Sequence, residues 1–201
     1  VVASYDLLLG YTGIVSFAQT MFFGIGSYGV AIAIARLDAS WGSIALGLVA
    51  ALVLSMVLAG LIGLLSLRVK AIFFAMITLA VASAFAILAS QLSWLTGGED
   101  GLTFTVPRFL QRGFRPFAGN LFGLEVTGRT ITYYLLFLAS AGLFLLLLRV
   151  VNSPFGRVLL SIRENAFRAE ALGYRTVTYR VVANCIAAAA ASLAGALLAL
   201  W

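Results

Sequence analysis

Long apolar runs separated by polar connectors dominate this chain. Because a helix needs about 20 mainly apolar residues to cross a bilayer, the pattern predicts an all-α, polytopic transmembrane fold. The first run carries several glycines and is long for one span, which leaves two predictions open: a single tilted helix, or a half-helix followed by a re-entrant piece. The runs are Leu7–Ala35, Gly42–Leu67, Ala71–Leu95, Ile131–Leu148 and a fifth from near Val181 to Trp201.

Composition agrees with the membrane class. Of the 201 residues, 63% are hydrophobic and 10% are charged, whereas soluble domains average about 45–50% and about 25%. The chain starts at Val1 and stops inside an apolar run, so we expect a fragment of one transmembrane domain, truncated at one or both ends. One cysteine and no histidine exclude an internal disulfide and argue against a metal site of the His/Cys kind.

Basic residues separate the connectors into two sides. The connectors 68–70 and 149–180 carry eight Arg and Lys residues, and the connectors on the other side carry five: Arg36, Arg108, Arg112, Arg115 and Arg129. The positive-inside bias therefore places 149–180 in the cytoplasm. The net charge of +6 is explained by topology, and nucleic acid is not expected as a partner.

The connector 149–180 has a helix pattern of its own. Ser153 is a good N-cap, Pro154 suits the first helical position, and Gly173 stands where a glycine ends a helix. Apolar residues recur between them at steps of three and four, which predicts a cytoplasmic amphipathic helix, or two short helices joined near Asn165. The recurring positions are Val158, Leu159, Ile162, Ala166, Ala169 and Leu172 or Gly173.

The stretch GYTGIVSFAQTMFFGIGSYG, residues 10–29, is unusually rich in small and polar residues. On a continuous helix one face would hold Thr12, Ser16, Gln19, Phe23 and Ser27. Polar groups at membrane depth are costly unless they face protein or water, so this face is predicted to line a translocation path. Close helix packing through small residues explains the same composition and stays open as the alternative.

The segment LTGGEDGL, residues 95–102, follows the third run. Its glycines Gly97, Gly98 and Gly101 predict a tight turn, and Glu99 with Asp100 adds local negative charge. Paired carboxylates suit acid–base catalysis, but no nucleophile, histidine or metal-ligand set accompanies them. We therefore do not expect an enzyme.

Three separated motifs carry a family resemblance over nearly the whole chain: LLLGYTGIVSFAQTMFFGIGSYGVAI, LTGGEDGL and IRENAFRAEALGY. In this order they resemble the permease subunits of ABC importers for branched-chain amino acids, closest to the larger of the two permease types. The resemblance implies a second permease subunit, two cytoplasmic ATPase subunits, an extracytoplasmic binding protein, and a bacterial inner membrane with its lipid. The chain has no G-x-x-x-x-G-K-[ST] phosphate loop, so ATP hydrolysis is expected in a partner and no cofactor in this chain.

The resemblance also implies roles for individual residues. It makes Thr12, Ser16, Gln19 and Ser27 candidates for the pathway. The candidates for coupling to the ATPase are Arg163, Glu164, Glu170 and Gly173. The alternative for this segment is an interfacial helix that lies on anionic lipid. Gly97, Gly98, Glu99 and Asp100 are candidates for receiving the binding protein or for gating the exit from it, with a plain solvent-exposed helix end as the alternative.

Two other functions stay open. Relatives with urea or short amides as cargo share the general layout. An ATP-independent channel or ion-driven secondary transporter is the competing class, and such proteins usually place ionisable groups at membrane depth. Here Asp6, Arg36, Arg68 and Arg149 all lie at the edges of runs, which counts against ion coupling.

Overall fold

The computed structural model describes residues 1–37, 40–66, 71–104 and 128–201. Within these ranges the chain is helical and has no strand. The helices are α1 Val2–Thr12, α2 Gln19–Leu37, α3 Trp41–Ser66, α4 Ala71–Gln91, α5 Ser93–Thr96, α6 Gly128–Val151, α7 Pro154–Glu164, α8 Ala166–Ala171 and α9 Thr176–Ala199, with a 3₁₀ turn Gly98–Asp100. The charged residues Arg68, Lys70, Arg108, Arg112 and Arg115 lie outside the described ranges.

Five of these helices, α2, α3, α4, α6 and α9, are long and apolar enough to cross a membrane. This confirms the all-α polytopic prediction. The third run ends as a span at Gln91, and α9 begins at Thr176 rather than near Val181. The predicted run started near Val181 because the polar residues Thr176, Thr178 and Arg180 interrupt the apolar pattern before it.

The first apolar run is not one tilted helix. Gly13, with φ of +69° in the left-handed region, ends α1, and residues 13–18 are not helical. The N–H groups of Gly13 and Ile14 both donate to the carbonyl of Leu8, and a glycine in the left-handed region is a common end of a helix. The run therefore divides into a short helix and a second helix of spanning length.

The tightest packing joins α2, α3 and α9. Gly26 of α2 lies directly against the backbone of Ser192 in α9, and Gly195 of α9 lies against the backbone of Phe23. A Cβ on Gly29 would stand 2.7 Å from the Cβ of Ala51 in α3. The packing alternative therefore accounts for these two glycines of the opening stretch, Gly26 and Gly29.

The connector forms two helices, which confirms the second of its two predicted forms. Ser153 precedes α7 and Pro154 is its first residue. Asn165 ends α7 and caps α8, since its Oδ1 accepts the N–H of Arg168 at 2.9 Å. After α8, the N–H of Gly173 bonds the carbonyl of Glu170 and the N–H of Tyr174 bonds the carbonyl of Ala169, which is a Schellman motif with the expected glycine.

The two ends of the bundle differ in what they carry. At the end we call the loop end, the guanidinium of Arg36 donates to the carbonyl of Trp94 and lies 5.5 Å from its ring centroid. Arg129 lies 5.8 Å from the ring of Trp201. The opposite end, which we call the connector end, carries α7 and α8.

Candidate translocation and coupling sites

The break between α1 and α2 is held by α4. The N–H of Phe17 donates to the hydroxyl of Thr78 at 3.1 Å, and Thr78 in turn donates to the carbonyl of Ala75 at 2.9 Å. Thr78 is fully buried. Non-helical backbone within a membrane protein needs such partners because lipid supplies none, so this hydroxyl stabilises the unwound segment.

The predicted polar face does not exist as one helix face. Gly13 ends α1, so Thr12 lies on α1, Ser16 lies in the break and Gln19 begins α2. The hydroxyl of Thr12 donates to the carbonyl of Leu8 at 2.6 Å. Gln19 and Ser27 keep to one side of α2, where Ser27 is half-buried.

The break nevertheless concentrates buried polar atoms. Ser16 is 1% exposed and Gln19 is 4% exposed. Among the described residues, the hydroxyl of Ser16 and both amide atoms of Gln19 have no hydrogen-bond partner. An unpaired buried polar group costs about 1–3 kcal/mol, and a native structure that carries one calls for an explanation such as water or function.

Sequence reasoning missed further buried polar side chains, on α3 and α9. Ser55, Ser192 and the Oδ1 of Asn184 are also without partners within the described ranges. The amide nitrogen of Asn184 donates to the carbonyl of Ala59 at 2.9 Å. The available signal was an asparagine inside an alanine-rich span, because polar residues in such spans face protein or water.

A separate cavity of about 710 Å³ opens between α1, α6 and α9. Phe23 is the α2 residue in its wall, together with Tyr133, Phe137 and Trp201. Its wall hydroxyls on Ser4 and Ser140 bond carbonyls of their own helices. The cavity therefore suits apolar groups, and neither Ser16 nor Gln19 lines it.

Two of the predicted coupling residues bond within the chain. The guanidinium of Arg163 donates to the carbonyl of Gly10 in α1. The carboxylate of Glu170 accepts the hydroxyl of Thr176 at 2.5 Å, in the first turn of α9. Glu164 is exposed, and Gly173 has φ of +91° with open space around it. The role of these residues in coupling stays a prediction.

The connector also exposes two large apolar side chains. Phe167 is 83% exposed and Leu172 is 72% exposed. The predicted apolar face ended at Leu172 or Gly173, but its last buried position is Ala169, since α8 ends at Ala171 and Leu172 is its C-cap. Phe167 was not singled out, since an aromatic residue in an amphipathic pattern is normally buried.

The segment after α5 is a tight turn. Gly97, Gly98 and Gly101 have φ of +79°, +62° and +73°, and a Cβ on Gly97 would overlap the carbonyl of Gly101. Asp100 is exposed, and the side chain of Glu99 lies outside the described part of the chain. Contact with a binding protein stays a prediction for this turn.

Asp6 was expected at the edge of the first span. It lies halfway along α1, and its Oδ1 stands 2.5 Å from the position of a Cβ on Gly10. The extra residues of α1 before Leu7 were not predicted because Val2–Asp6 do not extend the apolar run. A carboxylate therefore overlies the helix segment that Arg163 contacts.

Comparison with known proteins identifies the family of this chain. The family model described as "Branched-chain amino acid transport system / permease component" matches residues 1–201. The "Probable branched-chain amino acid transport permease protein LivM" of Methanocaldococcus jannaschii is 27% identical over 94% of this chain and 54% of its own length. The "High-affinity branched-chain amino acid transport system permease protein LivM" of Escherichia coli K12 is 27% identical over 96% of this chain and 48% of its own.

The chain thus spans about half the length of the curated relatives it matches. No solved structure matches it significantly.

Proposed function

The chain belongs to the family of branched-chain amino acid transport system permease components, and from this premise we propose that it forms part of an ATP-driven importer. The five apolar helices in the described part of the chain make it a multi-pass membrane protein. The proposed cargo is a branched-chain or related apolar amino acid, carried across the bacterial cytoplasmic membrane. The observation that supports this most directly is a family match that runs from the first residue to the last.

We propose that partner subunits, and not this chain, supply the energy for transport. The sequence has no phosphate-binding loop, so two cytoplasmic ATPase subunits hydrolyse ATP. A second permease subunit completes the membrane part, and an extracytoplasmic protein delivers the solute. The connector end faces the cytoplasm, in line with its basic residues, and the loop end with Gly97, Gly98, Glu99 and Asp100 receives the binding protein.

The proposed contact with the ATPase is α8. Phe167 and Leu172 project from it, and exposed charges surround them, among them Glu164 and Arg168. Buried aromatic anchors with a polar rim are typical of protein interfaces. Glu170 and Gly173 act here by shaping the segment, since one bonds Thr176 and the other ends α8.

The proposed pathway passes the break between α1 and α2, where Ser16 and Gln19 keep unpaired polar atoms. Thr12 and Ser27 flank them. Alternating access re-packs the spans so that these atoms meet the solute in passage. An amide and a hydroxyl supply both donors and acceptors, which match the charged groups of an amino acid without binding them tightly.

A second cargo fits the same atoms. The amide of Gln19 pairs with a neutral amide as well as with a carboxylate, which favours urea or a short amide as the alternative solute within the family.

The test is to purify the full-length protein from membranes and identify what accompanies it by mass spectrometry. An ATPase subunit and a second permease are expected, and the reconstituted complex with its binding protein should take up leucine only when ATP is supplied. Uptake of urea in place of leucine would select the alternative cargo. A stable assembly of this chain alone, with uptake independent of ATP, would contradict the proposal.

A further inference from the structure

Arg163 joins the cytoplasmic connector to the end of α1. Its guanidinium donates to the carbonyl of Gly10, a residue 153 positions away in the sequence. Its Cγ lies 3.2 Å from the position that a Cβ on Gly13 would occupy. The aliphatic part of the Arg163 side chain therefore covers Gly13, which ends α1. Its guanidinium binds the carbonyl of Gly10, one helical turn earlier in α1.

The hydrogen bond from Arg163 supplies a partner for a carbonyl at the C-terminal end of α1. The last carbonyls of an α-helix lack partners within the helix. The carbonyl of Leu8 is taken by the N–H groups of Gly13 and Ile14 and the hydroxyl of Thr12, and the carbonyl of Gly10 is taken by Arg163. A cation near the C-terminus also interacts favourably with the helix dipole.

The helix that carries Arg163 is seated firmly on the membrane helices. Leu159 and Ile162 are each at most 1% exposed, and Leu159 packs in one cluster with Leu7 and Leu8 of α1. Gly156 lies against the carbonyl of Val151, where a Cβ would not fit. A displacement of α7 therefore reaches α1 through both an apolar and a polar contact.

We propose that Arg163 is a positioning residue that carries displacement of the connector to the break between α1 and α2. This inference rests on the proposed function. A push on α8 moves α7, and Arg163 moves Gly10 and Gly13 with it. Ser16 and Gln19 follow Gly13 by three and six residues, so the polar atoms of the break respond to the same displacement.

The experiment uses the full-length complex and compares Arg163→Ala with Arg157→Ala. Both variants remove one exposed arginine from α7, and of these two side chains, within the described part of the chain, only that of Arg163 bonds α1, at Gly10. Hydrogen exchange of the backbone N–H groups of residues 10–18 should become at least about tenfold faster in Arg163→Ala, as expected when a charged hydrogen bond is lost. Solute taken up per ATP hydrolysed should fall severalfold, while ATPase subunits still co-purify. Arg157→Ala should change neither quantity, and Arg163→Lys should restore part of both.

Three results would overturn the inference. Unchanged exchange at residues 10–18 would mean that the contact does not hold the break. Faster exchange at residues 10–18 with an unchanged amount of solute taken up per ATP would mean that the Arg163–Gly10 contact stabilises the fold but does not transmit movement. Loss of the ATPase subunits from Arg163→Ala with unchanged exchange would make Arg163 part of the partner interface. Failure of the proposed function is seen separately, in the unsubstituted complex, as uptake that does not depend on ATP.

Discussion

Gly26 and Gly195 face each other where α2 crosses α9. A Cβ on Gly26 would overlap the carbonyl of Ser192, and a Cβ on Gly195 would overlap the carbonyl of Phe23. The two backbones therefore approach as closely as helices can, which small residues permit inside membranes. This crossing fixes α2, and with it the position of Gln19 at the start of that helix.

The first prediction concerns that crossing. Gly26→Ala and Gly195→Ala should each lower the free energy of unfolding by about 1–3 kcal/mol or more, because the new methyl group meets backbone that cannot rotate away. The control is Gly142→Ala in α6, where nothing lies within 4 Å. That change should be neutral or stabilising, since alanine favours helices more than glycine does. Thermal unfolding in detergent measures all three, and equal melting temperatures would contradict the close approach.

The second prediction concerns the hydroxyl that holds the break. Thr78→Val should destabilise the protein by about 1–3 kcal/mol, because the N–H of Phe17 loses its acceptor in a segment where lipid supplies none. Thr78→Ser keeps the hydroxyl and should cost only about 0.8 kcal/mol for the lost methyl group. Denaturation in detergent measures the difference. If serine were as damaging as valine, packing rather than the hydrogen bond would explain Thr78.

Local signals made much of the fold predictable. Runs of apolar residues gave the spans, and Pro154 and Gly173 gave the ends of the connector helices because caps depend on residues close in sequence. The interruption at Asn165 was one of two predicted forms. Leu172 is exposed because α8 ends at Ala171, which hydrophobic periodicity alone does not reveal.

Contacts distant in sequence were not predictable. The bond from Arg163 to the carbonyl of Gly10 joins residues 153 positions apart, which no local pattern reveals, and the role of Arg163 in coupling to the ATPase stays a prediction. The polar face of the first run failed for a related reason. A glycine within a helical pattern usually costs little, and only the tertiary partners of residues 13–18, such as Thr78, make a break at Gly13 favourable.

The third prediction tests the pathway. Gln19→Leu should lower solute uptake severalfold while the complex still assembles, because the amide is proposed to meet the solute. Its stability should stay unchanged or rise, since the variant removes two unpaired buried polar atoms. Gln91→Leu, at the exposed end of α4, is the control and should transport normally. Normal uptake by Gln19→Leu, or loss of assembly, would assign Gln19 to packing instead.

The fourth prediction tests the shape of the connector. Gly173→Val should impair uptake and ATPase coupling without preventing membrane insertion, because a left-handed backbone costs an L-residue about 1–2 kcal/mol and the Schellman motif after α8 is lost. Gly173→Asn should retain most activity, since asparagine tolerates this conformation. Space around Gly173 is open, so any difference between the two comes from the backbone. Equal transport by Gly173→Val and Gly173→Asn would contradict the proposal that the left-handed backbone of Gly173 shapes the connector for coupling.

The fifth prediction tests α8 as the ATPase contact. Phe167→Ala should weaken co-purification of the ATPase subunit by about thirtyfold or more in apparent affinity, since truncation of an aromatic hot-spot residue costs about 2 kcal/mol or more and each ~1.4 kcal/mol is a factor of ten. Phe73→Ala removes an aromatic side chain of 56% exposure from the apolar helix α4 and should leave ATPase binding unchanged. Because Phe167 is 83% exposed, its loss should not alter the melting temperature of the permease alone. A lower melting temperature with intact ATPase binding would show that Phe167 supports the fold and would remove α8 from the proposed interface.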